Sequence, residues 1–327
     1  MFLGRSSNKP ARAKSHPIFD EIRKSCENEL LSKGFETKVY LIPGGIGIKV
    51  LNEDYPSIAK IAHLPISEFD FSQVSNPMLE NLSFFRLDGL KLSQKPEVQF
   101  VELAVFSLKR LHADGYSGND YPILANHPLE ELSLCRANLQ TLDFLQGIEL
   151  KSLFLSNNPI ESIHALPCES LTTLNLFKCP LSDLDPLADS PIENLSISGT
   201  KVSDLSALRN TPLKKLEMRA TQVSDLSSLA ECPIEVLLLP GSTNKSIEPL
   251  SFLPINEMNV VGLELDDITP LSTMPIKKLS ISPDKLTNAQ FDFLKGLDLQ
   301  AIMGPGDPTG QTPDEFFQRH QPALEAN

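Results

Sequence analysis

The residues of this sequence best suited to chemistry are its five cysteines and six histidines. A metal centre needs such ligands at short spacing, but no two cysteines form a C-x-x-C pair and the histidines are scattered. Nucleophilic catalysis needs a thiol beside a base, and Cys135 with His112 is the one pair that comes near to this. We therefore expect no metal and no cofactor, and an enzyme that uses Cys135 is a remote alternative.

Motifs of the common enzyme classes are absent from the sequence. It contains no H-E-x-x-H, no G-x-S-x-G and no G-x-x-x-x-G-K-[ST]. The run G-G-I-G at 44–47 lacks the third glycine of a dinucleotide fingerprint, so we interpret it as a turn into a repeat unit. The run G-P-G-D-P-T-G at 304–310 has no lysine to hold a phosphate and is interpreted as a connector. We expect a protein that is not an enzyme.

The formal net charge of −13 over 327 residues argues against nucleic acid as a partner. Binding to a phosphate backbone needs clustered Lys and Arg. Such clustering occurs only near the start, where Arg5, Lys9, Arg12 and Lys14 stand without an acidic neighbour. We expect residues 1–14 to form a disordered basic arm.

The sequence also bears on the compartment. The apolar run after Met1 is only Phe-Leu, far shorter than the roughly 7–15 residues of a signal-peptide core. No run approaches the roughly 18–20 apolar residues of a membrane span. An odd number of cysteines suits reduced thiols better than a disulfide framework. We therefore expect a cytoplasmic location and no membrane partner.

Internal repetition dominates the rest of the chain. The frame L-x-x-L-x-L, seen at Leu150/Leu153/Leu155, recurs every 21 residues, and we count thirteen copies without an insertion. Only Gly45 and Gln300 break the apolar pattern at the frame positions. The copies begin at residues 45, 66, 87, 108, 129, 150, 171, 192, 213, 234, 255, 276 and 297.

Each unit predicts one coil of a solenoid. The alternation L-x-L has the period of a strand, so residues such as Leu195 and Ile197 should point inward. Asn158, Thr200 and their equivalents follow the strand, where a small polar side chain can bond the backbone of adjacent coils. Because 21 residues leave no room for a long outer helix, we expect short turns or 3₁₀ segments on the convex side.

The two ends of the array carry signals for capping helices. Ser15 can cap a helix whose face is formed by Ile18, Ile22, Cys26 and Leu30. The run T-P-D-E at 312–315 is a capping box for a second helix. We expect a complete solenoid, with a capping helix and lead-in at 15–43, about thirteen coils at 44–303, and a connector with a capping helix at 304–327.

The units G-T-K-V-S-D-L-S-A-L (199–208) and A-T-Q-V-S-D-L-S-S-L (220–229) resemble the short bacterial leucine-rich repeats. Such repeats occur in internalin-like proteins and behind some bacterial serine/threonine kinase domains. The resemblance covers roughly residues 45–320 and implies a leucine-rich-repeat solenoid with parallel strands on its concave face. It also implies binding to other proteins. No kinase motif, internalin surface anchor or cysteine-ligase domain accompanies the repeats.

The same alternation predicts which side chains face outward from the strands. Most are small or polar, and two apolar groups stand out: Phe154 beside Phe177, and Leu238 with Val261. Outward aromatic residues are good interface anchors. The candidate partner-binding residues are Phe154, Phe177, Lys178, Asn175, Arg219, Leu238 and Val261.

Three functional hypotheses follow. The first is a bacterial scaffold or adaptor, by default monomeric, that binds a protein through its concave face without catalysis. The second is a secreted, host-directed effector in which residues 1–17 serve export, so that their deletion abolishes secretion but not folding. The third is an enzyme that uses Cys135, which needs a thiol with a lowered pKa.

Overall fold

The computed structural model describes residues 17–42, 45–94, 96–308 and 311–324. The predicted basic arm and the cap at Ser15 lie outside these residues. The described helices are α1 (Pro17–Ser32), α2 (Asn288–Lys295) and α3 (Pro313–Leu324). The described strands are β1 (Thr37–Ile42), β2 (Gly45–Val50), β3 (Ile66–Asp70), β4 (Gly89–Lys91), β5 (Arg110–His112), β6 (Glu131–Ser133), β7 (Ser152–Phe154), β8 (Thr173–Asn175), β9 (Asn194–Ser196), β10 (Lys215–Glu217), β11 (Val236–Leu238), β12 (Glu257–Asn259), β13 (Lys278–Ser280) and β14 (Ala301–Met303).

The strands form one sheet in chain order from β1 to β14. From β2 onward every neighbouring pair is parallel, and the register of β3 to β13 advances by 21 residues, as where Leu216 pairs with Leu237. Inward-facing residues are buried as the alternation predicts: Leu195 is 2% exposed and Ile197 is fully buried. The solenoid predicted from the repeat is confirmed.

The outer side of each coil is built from short 3₁₀ segments, as expected for a coil of this length. Proline occupies the first turn of several of them, for example Pro186 in Asp185–Leu187 and Pro249 in Glu248–Leu250. Pro suits this place because its missing N–H would find no partner there. The segments are Ile58–Ile61, Leu79–Phe84, Phe100–Val105, Tyr121–Asn126, Asp143–Leu145, Cys168–Ser170, Asp185–Leu187, Ser206–Leu208, Ser227–Leu229, Glu248–Leu250, Thr269–Thr273 and Pro283–Lys285.

Polar residues inside the coils satisfy the backbone where it turns away from the strand. The Oδ1 atom of Asn158 accepts the N–H groups of Ala137 and Leu139 at 2.9 and 3.1 Å. Its Nδ2 donates to the carbonyls of Leu134 and Leu155 at 2.9 and 2.7 Å. A buried amide with four partners ties adjacent coils together, which is the role that the sequence predicts for this position.

A second set of polar groups shapes the outer turns. Asp183, Asp204, Asp225 and Asp267 each accept the backbone N–H two residues further on, at 2.8 Å. This Asx turn leads the chain into the following 3₁₀ segment. The repeated S-D-L and D-D-I runs of the sequence are thereby explained as turn signals.

The N-terminal end is closed by α1 and by a hairpin that the sequence analysis did not predict. Strand β1 pairs with β2 in the antiparallel sense, so the first coil is covered by a β-ribbon. In α1, Cys26 and Leu30 are buried, but Ile22 is 38% exposed and does not belong fully to the inner face, which corrects the prediction. Gly34 ends this region with a φ of +83°, a conformation that favours glycine.

The C-terminal end departs from the 21-residue step. Leu279 of β13 pairs with Ile302, which is 23 residues later, so the predicted copy Leu297/Gln300/Ile302 is out of register by two residues. The segment between β13 and β14 also contains α2, which was not predicted. The capping box of α3 is confirmed: the carboxylate of Glu315 accepts the N–H of Thr312 at 2.8 Å. Phe316 of this helix is fully buried.

Candidate partner-binding surface

The outward side of the sheet is a continuous surface, the concave face. In each strand from β4 to β13 the middle residue is buried, while the first and third residues and the second residue after the strand point outward. Parallel strands lie about 4.8 Å apart, so equivalent side chains form rows along the solenoid. All seven residues predicted for partner binding lie on this face or at its rim.

Phe154 on β7 and Phe177 just beyond β8 are diagonal neighbours in adjacent coils. Phe154 pairs in register with Asn175, and Phe177 lies two residues beyond Asn175. Both rings are half-buried. Diagonal neighbours in a sheet are close enough for aromatic side chains to form one surface. The ring of Phe154 also lies near that of His112, with 6.5 Å between centroids.

The neighbours of the two rings are short. Phe154 lies between Ser133 and Asn175 in its row, and Ser133 is 5% exposed. Phe177 lies beside Ser198, which is also 5% exposed. The serine side chains are short and nearly buried, so they form a low surface, or floor, beside the two larger rings, which extend further outward. We call the surface around Phe154 and Phe177 the phenylalanine patch.

Asn175 and Lys178 hold the patch in place. The Oδ1 atom of Asn175 accepts the N–H of Phe177 at 3.0 Å and the hydroxyl of Ser156 at 2.8 Å. The Nζ atom of Lys178 lies 5.2 Å from the centroid of the Phe177 ring, at cation–π range. Asn175, predicted as a partner-binding residue, thus also orients the backbone of Phe177, while Lys178 adds a charge to the edge of the patch.

The other predicted residues lie further along the solenoid. Arg219 is exposed, and its N–H donates to the hydroxyl of Ser198 at 3.0 Å. Leu238 and Val261 are half-buried on the coils of β11 and β12. Phe154 and Leu238 are four coils apart, about 19 Å at the usual strand spacing. The structure thus separates the predicted residues into the phenylalanine patch and a second, aliphatic group.

A charged basin at the N-terminal end of the concave face was not predicted. The hydroxyl of Tyr40 donates to Glu68 at 2.8 Å, and burial together with Glu68 raises the pKa of Tyr40. Arg110 Nε donates to the other oxygen of Glu68 at 2.9 Å, and His112 bonds Glu131 at 2.6 Å. The basin holds about 350 Å³ and is lined by Tyr40, Ile42, Glu68, Asp70, Leu90, Lys91, Arg110, His112 and Glu131. The sequence signal that could have revealed it is a glycine, residue 89, at an outward strand position.

Parallel strands in consecutive coils of 21 residues, with buried leucines in register and 3₁₀ turns behind them, are diagnostic of one fold. The chain folds as a leucine-rich-repeat solenoid. A family profile described as leucine rich repeats (2 copies) matches residues 148–189. A search of the curated proteins found no match.

Solved structures of internalins from Listeria monocytogenes are similar to this leucine-rich-repeat chain. Internalin C2 is 24% identical with a TM-score of 0.50, over 57% of this chain and 84% of its own. InlF is 18% identical with a TM-score of 0.54, over 78% of this chain and 79% of its own. The functional domain of InlJ, which includes a cysteine ladder, is 19% identical with a TM-score of 0.53, over 72% of this chain and 56% of its own. At these identities the likeness establishes an internalin-type repeat fold.

The candidate catalytic pair is not assembled. His112 bonds Glu131 rather than the thiol, and Cys135 lies 3.6 Å from the hydroxyl of Ser133. Burial and the nearby carboxylate of Asp114 raise the pKa of Cys135, so its thiolate is disfavoured. Within the described ranges, no three metal-ligating side chains are grouped as a metal would need. No described helix has the length and hydropathy to cross a membrane.

Proposed function

We propose that this leucine-rich-repeat chain is a non-catalytic binding module that takes a protein partner on its concave face, with Phe154 and Phe177 as the central anchors. The observation that carries this proposal is the phenylalanine patch, two half-buried rings on a floor of small residues. Solenoids of this kind present extended concave surfaces that other proteins bind.

The composition around the rings supports the same conclusion. From β7 to β9 every outward side chain is Phe or an uncharged hydroxyl or amide residue. Interface cores are depleted in charge and enriched in aromatic residues, whereas the rest of a protein surface is not. The outward residues of this stretch are Ser152, Phe154, Ser156, Thr173, Asn175, Phe177, Asn194, Ser196 and Ser198.

The state of Cys135 supports a role without catalysis. Its pKa is raised and His112 bonds Glu131, so the nucleophile and base that the Cys135 hypothesis needs are not paired. A secreted effector remains the alternative to an intracellular adaptor.

We further propose that the protein works in a reducing compartment, as the bacterial cytoplasm is. All five cysteines are free. Cys26 of α1 is buried, and Cys179 and Cys232 are buried in the coils, where Cys179 Sγ lies 3.2 Å from the carbonyl of Leu155. Separate buried thiols suit a reducing environment better than an oxidising one. Finding the protein in the culture medium, and losing it there when residues 1–17 are deleted, would favour the effector alternative.

The test of the binding proposal is affinity capture from a lysate of the native organism. Three baits are compared: the wild type, Phe154→Ala/Phe177→Ala, and the control Phe84→Ala/Phe252→Ala. Phe84 and Phe252 are 62% and 82% exposed and lie off the sheet, so the control removes two rings without touching the concave face. A protein retained by the wild type and the control but lost by the patch variant supports the proposal. Equal retention by all three baits contradicts it.

A further inference from the structure

One part of the concave face carries a net charge opposite in sign to that of the whole chain. We call the concave face from β4 to β10 the cationic stretch. It comprises the three outward residues of each coil and the rim residue that directly follows the third of them. Its cations are Lys91, Arg110, Arg136, Lys178, Lys215 and Arg219, and its acids are Asp114, Glu131 and Glu217. Six cations against three carboxylates are found on a chain whose formal net charge is −13.

Several of these cations form no ion pair with another residue of the described ranges. Arg110 pairs with Glu68 at 2.9 Å, and Lys215 pairs with Glu217 at 2.7 Å. Among the described residues, by contrast, Lys91, Arg136, Lys178 and Arg219 form no ion pair. Arg136, Lys178 and Arg219 are exposed as well. Unpaired cations around an apolar centre are charges that a ligand can use.

We propose that the partner presents an acidic segment with an apolar anchor, which lies along the cationic stretch. The inference rests on the proposed function and specifies the partner of the same surface. An apolar side chain of the segment contacts the phenylalanine patch, and flanking carboxylates pair with Lys91 on one side and with Lys178 and Arg219 on the other. Complementary charge of this kind speeds association and selects the partner.

The spacing of the solenoid sets the spacing of the motif. Lys91 lies three coils before Phe154, about 14 Å, and Arg219 lies two coils after Phe177, about 10 Å. An extended peptide advances about 3.3 Å per residue. The segment should therefore carry an acidic residue about four positions from its apolar anchor on one side and about three positions from it on the other.

The same face is poorly suited to a nucleic acid. Asp114, Glu131 and Glu217 alternate with the cations along the surface. A uniformly charged phosphate backbone would meet these carboxylates, whereas a peptide can place a neutral or basic residue opposite each one. Acidic peptide is therefore the occupant that the arrangement favours.

The experiment is selection of a displayed random 12-residue peptide library on the full chain. The baits are the wild type, Lys178→Glu/Arg219→Glu, and the control Lys201→Glu/Arg209→Glu. Both pairs are exposed and form no ion pair among the described residues, and both variants change the net charge equally. Enriched peptides are then synthesised with a fluorophore. Their Kd for the wild type and for the two concave variants, Lys178→Glu/Arg219→Glu and Phe154→Ala/Phe177→Ala, is measured by anisotropy at two salt concentrations.

The wild type and the control should enrich peptides with Asp or Glu three to four positions from an apolar residue, and Lys178→Glu/Arg219→Glu should select Lys or Arg instead. The Kd for the wild type should rise at least about five-fold between roughly 50 and 300 mM salt, because added salt shortens the Debye length and screens exposed ion pairs. Peptides that need Phe154 and Phe177 but show no acidic preference would overturn the inference and leave the proposed function standing. Peptides indifferent to both concave variants would overturn the proposed function too. Displacement of the peptide by an equimolar dT12 oligonucleotide would identify a nucleic-acid face and likewise overturn the inference.

Discussion

Arg110 and Glu68 form an ion pair that spans an entire coil. Their side chains meet at 2.9 Å although the residues are 42 positions apart and β4 lies between their strands. The pair is possible because the intervening residue is Gly89. A Cβ atom at this position would lie 2.4 Å from the Oε2 atom of Glu68.

Gly89→Ala should therefore destabilise the protein. The added methyl group displaces the Glu68 carboxylate and breaks a pair whose side chains are only 24% and 16% exposed. Loss of a partly buried pair costs on the order of 1–3 kcal/mol. Urea unfolding followed by circular dichroism measures this difference. Gly296→Ala is the matched control, since its Cβ would meet only an ordinary contact at 3.4 Å, and an equal loss in both variants would contradict the explanation.

The contacts of Asp307 should make the stability of the C-terminal cap depend on pH in the acidic range. The carboxylate is 4% exposed, and it accepts bonds from Arg319 and His320 at 2.9 Å each and from the N–H of Gly304 at 2.7 Å. Burial alone would raise its pKa, but the bonds from His320, Gly304 and Arg319 outweigh burial and lower the pKa to about 2.

A carboxyl with a lowered folded-state pKa stabilises the protein above its unfolded pKa, about 3.9, and this contribution is lost as the pH falls towards the folded value. The wild type should thus lose about 2 kcal/mol between pH 4 and pH 2 through Asp307. Asp307→Asn should be less stable at pH 6 and decline less over that range. Thermal unfolding at several pH values measures both effects. Asp292→Asn, which alters an exposed pair with Lys295, should follow the wild-type curve.

The register of the inner strands could be predicted because the buried residues, the turn residues and the prolines all recur with the same 21-residue period. Leu153 and its equivalents must all face inward, so any other register would expose a whole row of apolar residues. Capping helices at both ends were predicted, but the register of the last strand was not. Leu279 pairs with Ile302, 23 residues later, and because Leu297 and Ile302 are both apolar, the 21-residue pattern conceals this longer step. The capping box of Thr287 and Gln290 is the local sequence signal for α2.

The candidate surface could be predicted only in part. Alternation places Phe154 and Phe177 outward from the sequence alone, whereas the basin depends on contacts between residues more than one coil apart. Tyr40 reaches Glu68 from the β1 ribbon, and Arg110 reaches the same carboxylate over Gly89. Neither contact leaves a periodic signal in the sequence. The repeat pattern therefore predicts the strands that carry these residues, but not the contacts between their side chains.

Cys135 should behave as an unreactive thiol. Burial and the carboxylate of Asp114 raise its pKa, so little thiolate is present at pH 7. Its rate of alkylation by iodoacetamide, followed by peptide mass spectrometry, should be below that of free cysteine at pH 7. His112→Ala should leave the rate unchanged, because His112 bonds Glu131. Rapid alkylation that depends on His112 would instead restore the enzyme hypothesis.

Ala220 occupies a position at which glycine should be more stable. Its φ is +50°, and the equivalent residues of the neighbouring coils, Gly199 and Gly241, have φ values of +71° and +67°. A Cβ atom is disfavoured in this left-handed region, and glycine relieves that cost while losing some entropy on folding. Ala220→Gly should therefore stabilise the protein by roughly 0.5–1 kcal/mol.

The matched comparison is Ala104→Gly. Ala104 is exposed like Ala220, lies in the 3₁₀ segment Phe100–Val105 and has no positive φ, so its replacement should destabilise the protein by about 0.5–1 kcal/mol. Urea denaturation of both variants gives two changes of opposite sign if backbone conformation decides the outcome. Destabilisation in both would mean that the methyl group of Ala220 contributes more through packing than its conformation costs. Since Ala220 is exposed, packing has little to offer at that position, and the opposite signs are the expected result.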